Sequence, residues 1–369
     1  MSEASARATI RNPTEADALQ MAELLSSAFQ RWPAFEIHVP APERLRWKMR
    51  SDPIAARHHW VSEVDGRIAA MLLRIVRRVR VGGRDCLARD GVDAAADPLY
   101  QGQRLYSSLL DHVGQSPRDA EFDLGLSYST NPRVQHRERR MGRKPLANPI
   151  QALQKPYRVR AIVARRRSKR VRQMPAPLAV LRIKLKTAVN RIGHRPYWRR
   201  AKRAWSITTL NRFDGRIDEF FDEAARPFDF VVVRSKDYMN WRYCDPAAGR
   251  FTVRVAEQEG RLLGYQVLKL TEGNGYIADL LALPERIDVV RSLIEDALGL
   301  FCDAGVESVS CWMISRHPYN GMLRRYGFID SKRHVGLAYE PRDHDSTALE
   351  FLDDAGARIH LTHGDSDWI

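Results

Sequence analysis

The sequence predicts an α/β (α+β) protein of two similar domains joined by a basic helical segment, each domain a mixed, mostly antiparallel sheet flanked by helices. At 369 residues the chain is longer than one hydrophobic core ordinarily supports. Strand and helix patterns recur in the same order in both halves, which indicates a tandem duplication. We therefore expect a first domain over 1–155, a basic segment over 156–205, a second domain over 206–345 and a C-terminal extension over 346–369.

The first half alternates short apolar runs with turn signals. The pairs Asp65-Gly66 and Gly82-Gly83 favour hairpins, because glycine accepts positive φ. Thr14, with Asp17 three residues on, is a plausible N-cap for the first helix. The predicted elements, in order, are a strand at 9–11, a helix over 18–28, strands at 60–64, 68–81 and 86–92, a helix at 101–113, a strand at 122–127 and a helix over 131–142.

The second half repeats this order from the three strands onward. Turns at Glu259-Gly260 and around Gly273 separate the strand-like runs. The predicted elements are strands at 251–256, 264–270 and 275–283, a helix at 287–304, a strand at 306–313 and a helix at 318–326.

The net charge of +15 is concentrated in the middle of the chain. No acidic residue lies between Glu138 and Asp214, and residues 139–212 contain 23 of the 60 Lys and Arg residues. Subtracting those 23 charges from +15 leaves −8 for the remainder, so mildly acidic domains flank a basic segment. Apolar residues recur near helical spacing within it. Three interpretations stay open: a solvated helical linker, an amphipathic helix on anionic lipid headgroups, or a contact with a polyanion.

Cysteine usage and hydropathy indicate the expected location. The four cysteines are scattered, without the close pairs that disulfide frameworks and metal sites use. No apolar run reaches the length of a membrane span. We expect a cytoplasmic protein without a metal, free or peripheral to the inner face of the membrane.

The stretch from Gly91 to Leu110, GVDAAADPLYQGQRLYSSLL, resembles the central motif of the GNAT acyltransferase superfamily. In that family a loop that opens a helix holds the pyrophosphate of acetyl-CoA. The unpaired amides of a helix N-terminus favour an anion independently of the resemblance. The sequence departs from the family pattern at Arg104 and Tyr106, where small residues are usual. The resemblance implies cofactor contacts at Gly91, Val92, Gln101, Gly102, Gln103, Arg104, Leu105, Tyr106, Ser107 and Asn131.

The end of each half resembles a second GNAT segment, Asn…Tyr…Gly-Phe, whose tyrosine often protonates the departing thiolate. The corresponding positions hold Glu138 and Leu323, so neither half keeps that tyrosine. We expect Tyr128 and Glu138 to act as acid or base, with Asp93 and His136 as further candidates.

Polarisation of the thioester carbonyl is the other requirement of acyl transfer. The backbone of Gly91 and Val92 is our first choice for this role, because donors preorganised at the developing charge accelerate such reactions.

The segment Arg234 to Tyr243 resembles a block that recurs in tandem GNAT-like proteins. Its aromatic residues have two interpretations: a wall for a sugar-like acceptor, or anchors that dock a helix on the sheet, and we favour the second. Only Pro284-Glu285-Arg286 separates the third strand of this half from its helix, without a glycine-rich loop. We therefore do not expect the second domain to bind CoA in the usual way.

The resemblance implies an acyl-CoA-dependent N-acyltransferase that uses acetyl-CoA or another acyl-CoA and acts on a small-molecule amine, such as an amino sugar. An alternative is a GNAT-fold protein without catalysis, attached to a membrane or polyanion by its basic segment. A third is aminoacyl transfer from charged tRNA, which also uses paired GNAT-like domains. No motif for sequence-specific nucleic-acid recognition is present.

Overall fold

The strands form one extended sheet, and the helices pack against it. The computed structural model describes residues 8–29, 32–33, 37–52, 54–100, 102–159, 176–192, 204–341 and 346–367. The strands are β1 (Thr9–Arg11), β2 (Trp60–Val64), β3 (Arg67–Val81), β4 (Arg84–Ala96), β5 (Leu124–Ser129), β6 (Lys144–Pro145), β7 (Ile150–Pro156), β8 (Ser206–Leu210), β9 (Phe230–Val232), β10 (Thr252–Gln258), β11 (Arg261–Thr271), β12 (Asn274–Ala282), β13 (Ser308–Ile314), β14 (Ile329–Pro341) and β15 (Ile359–His360). The helices are α1 (Ala18–Phe29), α2 (Ala41–Met49), α3 (Leu105–Gln115), α4 (Pro132–Arg140), α5 (Ala176–Ile192), α6 (Arg216–Ala224), α7 (Lys236–Met239), α8 (Ile287–Asp303), α9 (Pro318–Arg325) and α10 (Ser346–Asp353).

The order of predicted elements is confirmed, but one boundary differs and one helix near strand β4 was not predicted. The helix predicted from residue 101 begins at Leu105, because Gly102 and Arg104 both have positive φ (89° and 57°) and extend the turn. Helix α2 is missing from the sequence analysis. Its nine residues include two Arg and a Lys, and a short, charged helix has little apolar periodicity to reveal it.

The two halves exchange their last long strands. The strand order is β1-β2-β3-β4-β5-β14-β7-β13-β12-β11-β10-β8. Strand β7, from the first half, pairs with β13 and β14, whereas β14, from the second half, pairs with β5 (Leu337 opposite Tyr128). The sheets of the two halves are therefore continuous, and each is completed by a strand of the other.

The segment Arg234 to Tyr243 joins the halves through side-chain contacts. Trp241 stacks on Trp47 of α2 with ring centroids 4.5 Å apart, and each indole Nε1 donates to the backbone carbonyl of the other residue. Arg242 donates to the carbonyls of Gly364 and Ser366. These contacts favour the interpretation of the aromatic residues as anchors, and Trp241 is not among the residues that line the cavity of about 550 Å³ described below.

The C-terminal extension is part of the buried structure. Strand β15 pairs with β9, which also pairs with β3. Residues Leu361 to Ser366 are buried. Arg234, Asp279 and Asp365 form a fully buried ion-pair network, with N–O distances of 3.1 Å to Asp279 and 2.9 Å to Asp365. None of the helices described is long and apolar enough to cross a membrane.

Candidate functional site

Each half contains a long strand that pairs in parallel with a neighbour over only a few residues before the two separate. Strands β4 and β5 pair only from Ala88–Leu124 to Asp90–Leu126, and β12 and β13 only from Asn274–Ser308 to Ile277–Cys311. In the first half the separation opens into a cavity of about 550 Å³, here named cleft 1. Its walls are residues 91–94 of β4, 127–129 of β5, and parts of α3 and α4.

A β-bulge in β4 directs that strand away from β5. Leu73 faces Val92 and Met71 faces Ala95, so Asp93 and Ala94 together oppose a single residue of β3, and Asp93 has a φ of 47°. Bulges bend a strand and re-aim its side chains. Among the described strands, none pairs with the β5-facing edge of β4 beyond Asp90. The backbone from Gly91 onward therefore borders cleft 1, where the sequence analysis places the carbonyl-polarising groups.

A buried charged cluster closes one end of cleft 1. The Asp93 carboxylate accepts hydrogen bonds from Trp32 Nε1 at 2.8 Å and from Lys48 Nζ at 2.5 Å. Lys48 Nζ also contacts Asp367 Oδ2 at 3.1 Å. Burial opposes ionisation of Asp367, but the charge and hydrogen bond of Lys48, with the charges of Arg77 and Arg44, together outweigh it and lower the pKa of this carboxyl. The Asp93 carboxylate is thus held in place by two hydrogen-bond donors.

Tyr128 lines cleft 1 where β5 leaves β4. Its hydroxyl is buried and has no hydrogen-bond partner among the described residues. Burial, together with the nearby Asp365 charge, raises the pKa of Tyr128 well above its ordinary value. The hydroxyl therefore stays protonated, and no described residue accepts its hydrogen bond.

Helix α4 contributes charged residues to the other wall of cleft 1. Glu138 pairs with Arg143, and both line the cavity. The Arg137 guanidinium lies 5.3 Å from the centre of the Tyr106 ring, in cation–π geometry. Tyr106 thus fills the wall beside α4, although the family motif has a small residue at this position. His136 is exposed and does not line the cleft.

The residues that the resemblance assigns to cofactor binding do not all line cleft 1. Gly91, Val92 and Tyr106 line cleft 1. Leu105 is buried in a hydrophobic cluster with Leu109. Residues 102–104 and 107 are exposed at the start of α3, just outside the cleft. Asn131 is the N-cap of α4, where its side chain accepts from Arg133 N at 3.0 Å, and Gln101 lies outside the described residues.

Sequence reasoning missed Lys48 and Asp367. The two residues lie 319 positions apart in the chain, and α2, which carries Lys48, was not predicted. Neither residue belongs to a recognisable motif. Only the folded C-terminal extension brings Asp367 to Asp93.

In the second half the corresponding separation is occupied by the chain itself. Thr362 Oγ1 donates to Asp279 of β12 at 3.4 Å, and the His363 ring stacks on Trp312 of β13 at 4.1 Å. Ala278 and Trp312 are the first residues beyond the last paired positions of β12 and β13. In the second half the C-terminal segment therefore fills the space between the separated strands that corresponds to cleft 1 in the first half.

Part of the first half is similar to a known protein family. Residues 9–137 match the family described as Acetyltransferase (GNAT) domain. No curated protein matches the chain by sequence.

Solved structures share the fold of nearly the whole chain. A Saccharomyces cerevisiae N-myristoyltransferase with bound myristoyl-CoA and inhibitors has a TM-score of 0.60 at 12% identity, covering 92% of this chain and 81% of that one. A probable N-acyltransferase from Enterococcus faecalis V583 has a TM-score of 0.59 at 13% identity, covering 91% and 73%. A GCN5-related N-acetyltransferase from Kribbella flavida has a TM-score of 0.55 at 12% identity, covering 92% and 72%. Residues 9–137 are therefore similar to a GNAT acetyltransferase domain, and the chain shares its fold with GCN5-related N-acetyltransferases and an N-myristoyltransferase.

Proposed function

We propose that the chain is an acyl-CoA-dependent N-acyltransferase whose thioester lies in cleft 1, where β4 and β5 separate. The observation that carries this proposal is the open cavity at that point, bordered by the unpaired edge of β4 from Gly91 onward. Acetyl-CoA or another acyl-CoA is the co-substrate. A small-molecule amine, such as an amino sugar, is the acceptor.

The diphosphate of CoA would bind at the turn before α3. Gly102 has space around it, since a side chain built there meets no atom within 4 Å. The backbone amides of Tyr106 and Ser107 have no backbone acceptor among the described residues, as expected for a first helical turn. Such amides and the helix dipole favour a phosphate. Exposed Arg104 adds a positive charge beside this turn.

The reaction forms a carbon–nitrogen bond and breaks the carbon–sulfur bond of the thioester. The amine loses a proton as it attacks, and the departing thiolate gains one. We propose that Tyr128 donates a hydrogen bond to the leaving sulfur and that Glu138 accepts the proton of the amine. The backbone of Gly91 and Val92 would polarise the carbonyl. The Lys48–Asp93–Asp367 cluster would fix the bulge that presents this backbone.

The proposal is tested by calorimetric titration with acetyl-CoA, comparing Gly102→Phe with Gly66→Phe. Both glycines have positive φ and open surroundings, but Gly66 lies in the β2–β3 turn, away from cleft 1. A bulky side chain at Gly102 stands in the way of the diphosphate. We expect acetyl-CoA binding to weaken at least tenfold in Gly102→Phe and to be unchanged in Gly66→Phe.

Absence of binding by the unmodified protein, tested with acetyl-CoA and longer acyl-CoA esters, would overturn the proposal. It would favour the alternative of a GNAT-fold binding or scaffold protein without catalysis. Equal weakening in both glycine variants would mean that the phosphates bind elsewhere.

We also propose that the basic segment 156–205 contacts an anionic membrane surface peripherally. On α5, Leu178, Leu181 and Leu185 are each more than half exposed, and Arg182 and Lys184 are exposed beside them. An apolar stripe among basic residues is typical of helices that lie on anionic lipid. Co-sedimentation with phosphatidylserine vesicles, lost when the three leucines are changed to Gln, is the expected result; no sedimentation of the unmodified protein would contradict it.

A further inference from the structure

A second cavity lies at the end of the separated strands in the second half. This cavity, here named cleft 2, has a volume of about 420 Å³. It is bounded by the loop 283–286, the first turns of α8 and α9, and residues 356–359 of the C-terminal extension. A volume of this size is within the range of small-molecule sites. Neither the GNAT domain match nor the proposed acyltransferase site includes cleft 2.

The walls of cleft 2 are mainly apolar. Phe228, Leu283, Val290 and Met322 line it, and Ile287 stands at its edge with 48% of its surface exposed. Apolar atoms facing an open cavity gain free energy when a ligand removes them from water. The lining therefore favours a ligand with an apolar body.

His317 lies in the wall of cleft 2 but offers a ligand no free polar atom. His317 Nδ1 accepts from the backbone amide of Tyr319 at 3.1 Å, and its Nε2 lies 3.0 Å from His360 Nδ1. Burial, with the neighbouring His360, lowers the pKa of His317 well below its ordinary value. Phe228 stacks on the ring at 5.4 Å. His317 therefore presents a neutral ring whose two nitrogens are already engaged.

The charged side chains at the mouth of cleft 2 determine which head group a ligand can have. Arg286 pairs with Asp288 at 2.8 Å, and Arg358 with Asp229 at 3.0 Å. Arg316 lines the cleft and is exposed, and its guanidinium forms no ion pair or hydrogen bond with the described residues. Asp288 in the first turn of α8 and exposed Glu285 disfavour a diphosphate there. One available guanidinium suits a single anionic group such as a carboxylate.

We infer that cleft 2 binds an anionic amphiphile, a molecule with an unbranched or ring-shaped apolar body and one carboxylate. The apolar body occupies the space between Phe228, Val290 and Met322, and the carboxylate pairs with Arg316 at the mouth. This site is separate from cleft 1. Its occupation requires no acyl transfer.

The test is calorimetric titration of the full chain with octanoate, decanoate and dodecanoate. Each methylene that enters the cleft raises affinity about fourfold, so two added methylenes should raise it more than tenfold until the cleft is full. Decyltrimethylammonium, with the same apolar body and the opposite charge, should bind at least tenfold more weakly than decanoate. Equal affinity for both would overturn the assignment of the head group.

Two variants locate the site. Arg316→Glu should weaken decanoate at least tenfold, whereas Arg250→Glu, the same change at an exposed arginine outside both clefts, should not. Ile287→Trp places a larger side chain at the exposed edge of cleft 2 and should also weaken decanoate binding. Its melting temperature is compared with that of the unmodified protein to verify that the variant is folded. Binding unaffected by both Arg316→Glu and Ile287→Trp would overturn the inference, as would absence of decanoate binding.

Saturating acetyl-CoA separates this inference from the proposed function. Decanoate that binds cleft 2 retains its affinity when acetyl-CoA occupies cleft 1, and also retains it in Gly102→Phe. Competition between the two would place decanoate in cleft 1 and refute a second site. Failure of acetyl-CoA to bind, with decanoate binding intact, would refute only the acyltransferase proposal.

Discussion

The substitution Arg234→Met removes the cation that pairs with both Asp279 and Asp365. All three side chains are fully buried, and the guanidinium contacts the two carboxylates at 3.1 and 2.9 Å. Burial opposes ionisation of Asp279, but the charges and hydrogen bonds of Arg234 and His360 together outweigh it and lower the pKa of that carboxyl. Methionine has similar bulk without charge, so the variant tests the charge rather than the packing.

The expected loss in free energy of unfolding follows from the two buried carboxylates that remain after Arg234 is replaced. Breaking a buried ion pair by removing one partner costs about 3–5 kcal/mol, because the other charge stays buried and uncompensated. Here one cation serves two carboxylates, so we expect the loss to be at least ~4 kcal/mol at pH 7. Domains are typically stable by only about 5–15 kcal/mol. Without the cation, burial raises the pKa of the Asp279 carboxyl above its unfolded value, so the variant should regain stability as pH falls from 7 towards 5.

The assay is urea unfolding at pH 7 and at pH 5.5, analysed by linear extrapolation. Arg261→Met is the matched control, because Arg261 forms an exposed pair with Glu223 and such pairs contribute about 0–1 kcal/mol. If Arg234→Met folds too poorly to titrate, Arg234→Lys offers a milder version of the same change. A loss below ~1 kcal/mol at pH 7, or greater destabilisation at pH 5.5 than at pH 7, would refute the reasoning.

Three further outcomes are expected. Trp241→Ala removes the ring stacked on Trp47 and should cost about 3 kcal/mol in urea unfolding; a loss below ~1 kcal/mol would show that the two indoles do not join the halves. Burial lowers the pKa of His59 to about 4, so its contribution to stability is present above its unfolded pKa and is lost as pH falls from about 6.5 to 4. That loss is about 3 kcal/mol, and His59→Gln should flatten the stability profile over this range, whereas an unchanged slope would exclude His59 as its source. Tyr128→Phe should lower kcat about tenfold in a CoA-release assay with a panel of amines and leave the Kd for acetyl-CoA unchanged; an unaltered kcat would remove Tyr128 from the mechanism.

Much of the order of elements was predictable because its signals are local. Strand β2 runs over the predicted residues 60–64, and the turn after it has Asp65 and Gly66 at positive φ. Helix α4 begins after its N-cap Asn131 and ends where the sequence predicts, since capping and helix-ending residues act within a few positions. The start of α3 was predicted four residues too early, because the left-handed conformation of Arg104 has no signal in the sequence.

The exchange of β7 and β14 between the halves was not predictable from periodicity. Both strands have the apolar pattern of any buried strand, and the pattern does not specify which neighbour each will pair with. The charged end of cleft 1 was hidden for a similar reason. Its members come from α2, from the β4 bulge and from the C-terminal extension, and only the tertiary structure brings them together.

The two halves share the same strand geometry, but the separation of the parallel strands is open in the first half and is filled by the C-terminal segment in the second. Each half has a β-bulge near the point where its parallel strand pair separates, and an aspartate lies at or beside it: Asp93 in β4 and Asp279 in β12. A buried carboxylate at such a point requires partners. Lys48 and Trp32 satisfy Asp93 from one side and leave the gap beyond it empty. Asp279 is satisfied partly by Thr362, from the segment that occupies the gap. The same strand geometry thus yields a substrate-sized cavity in one half and, in the other, a separation filled by the C-terminal segment that carries Thr362.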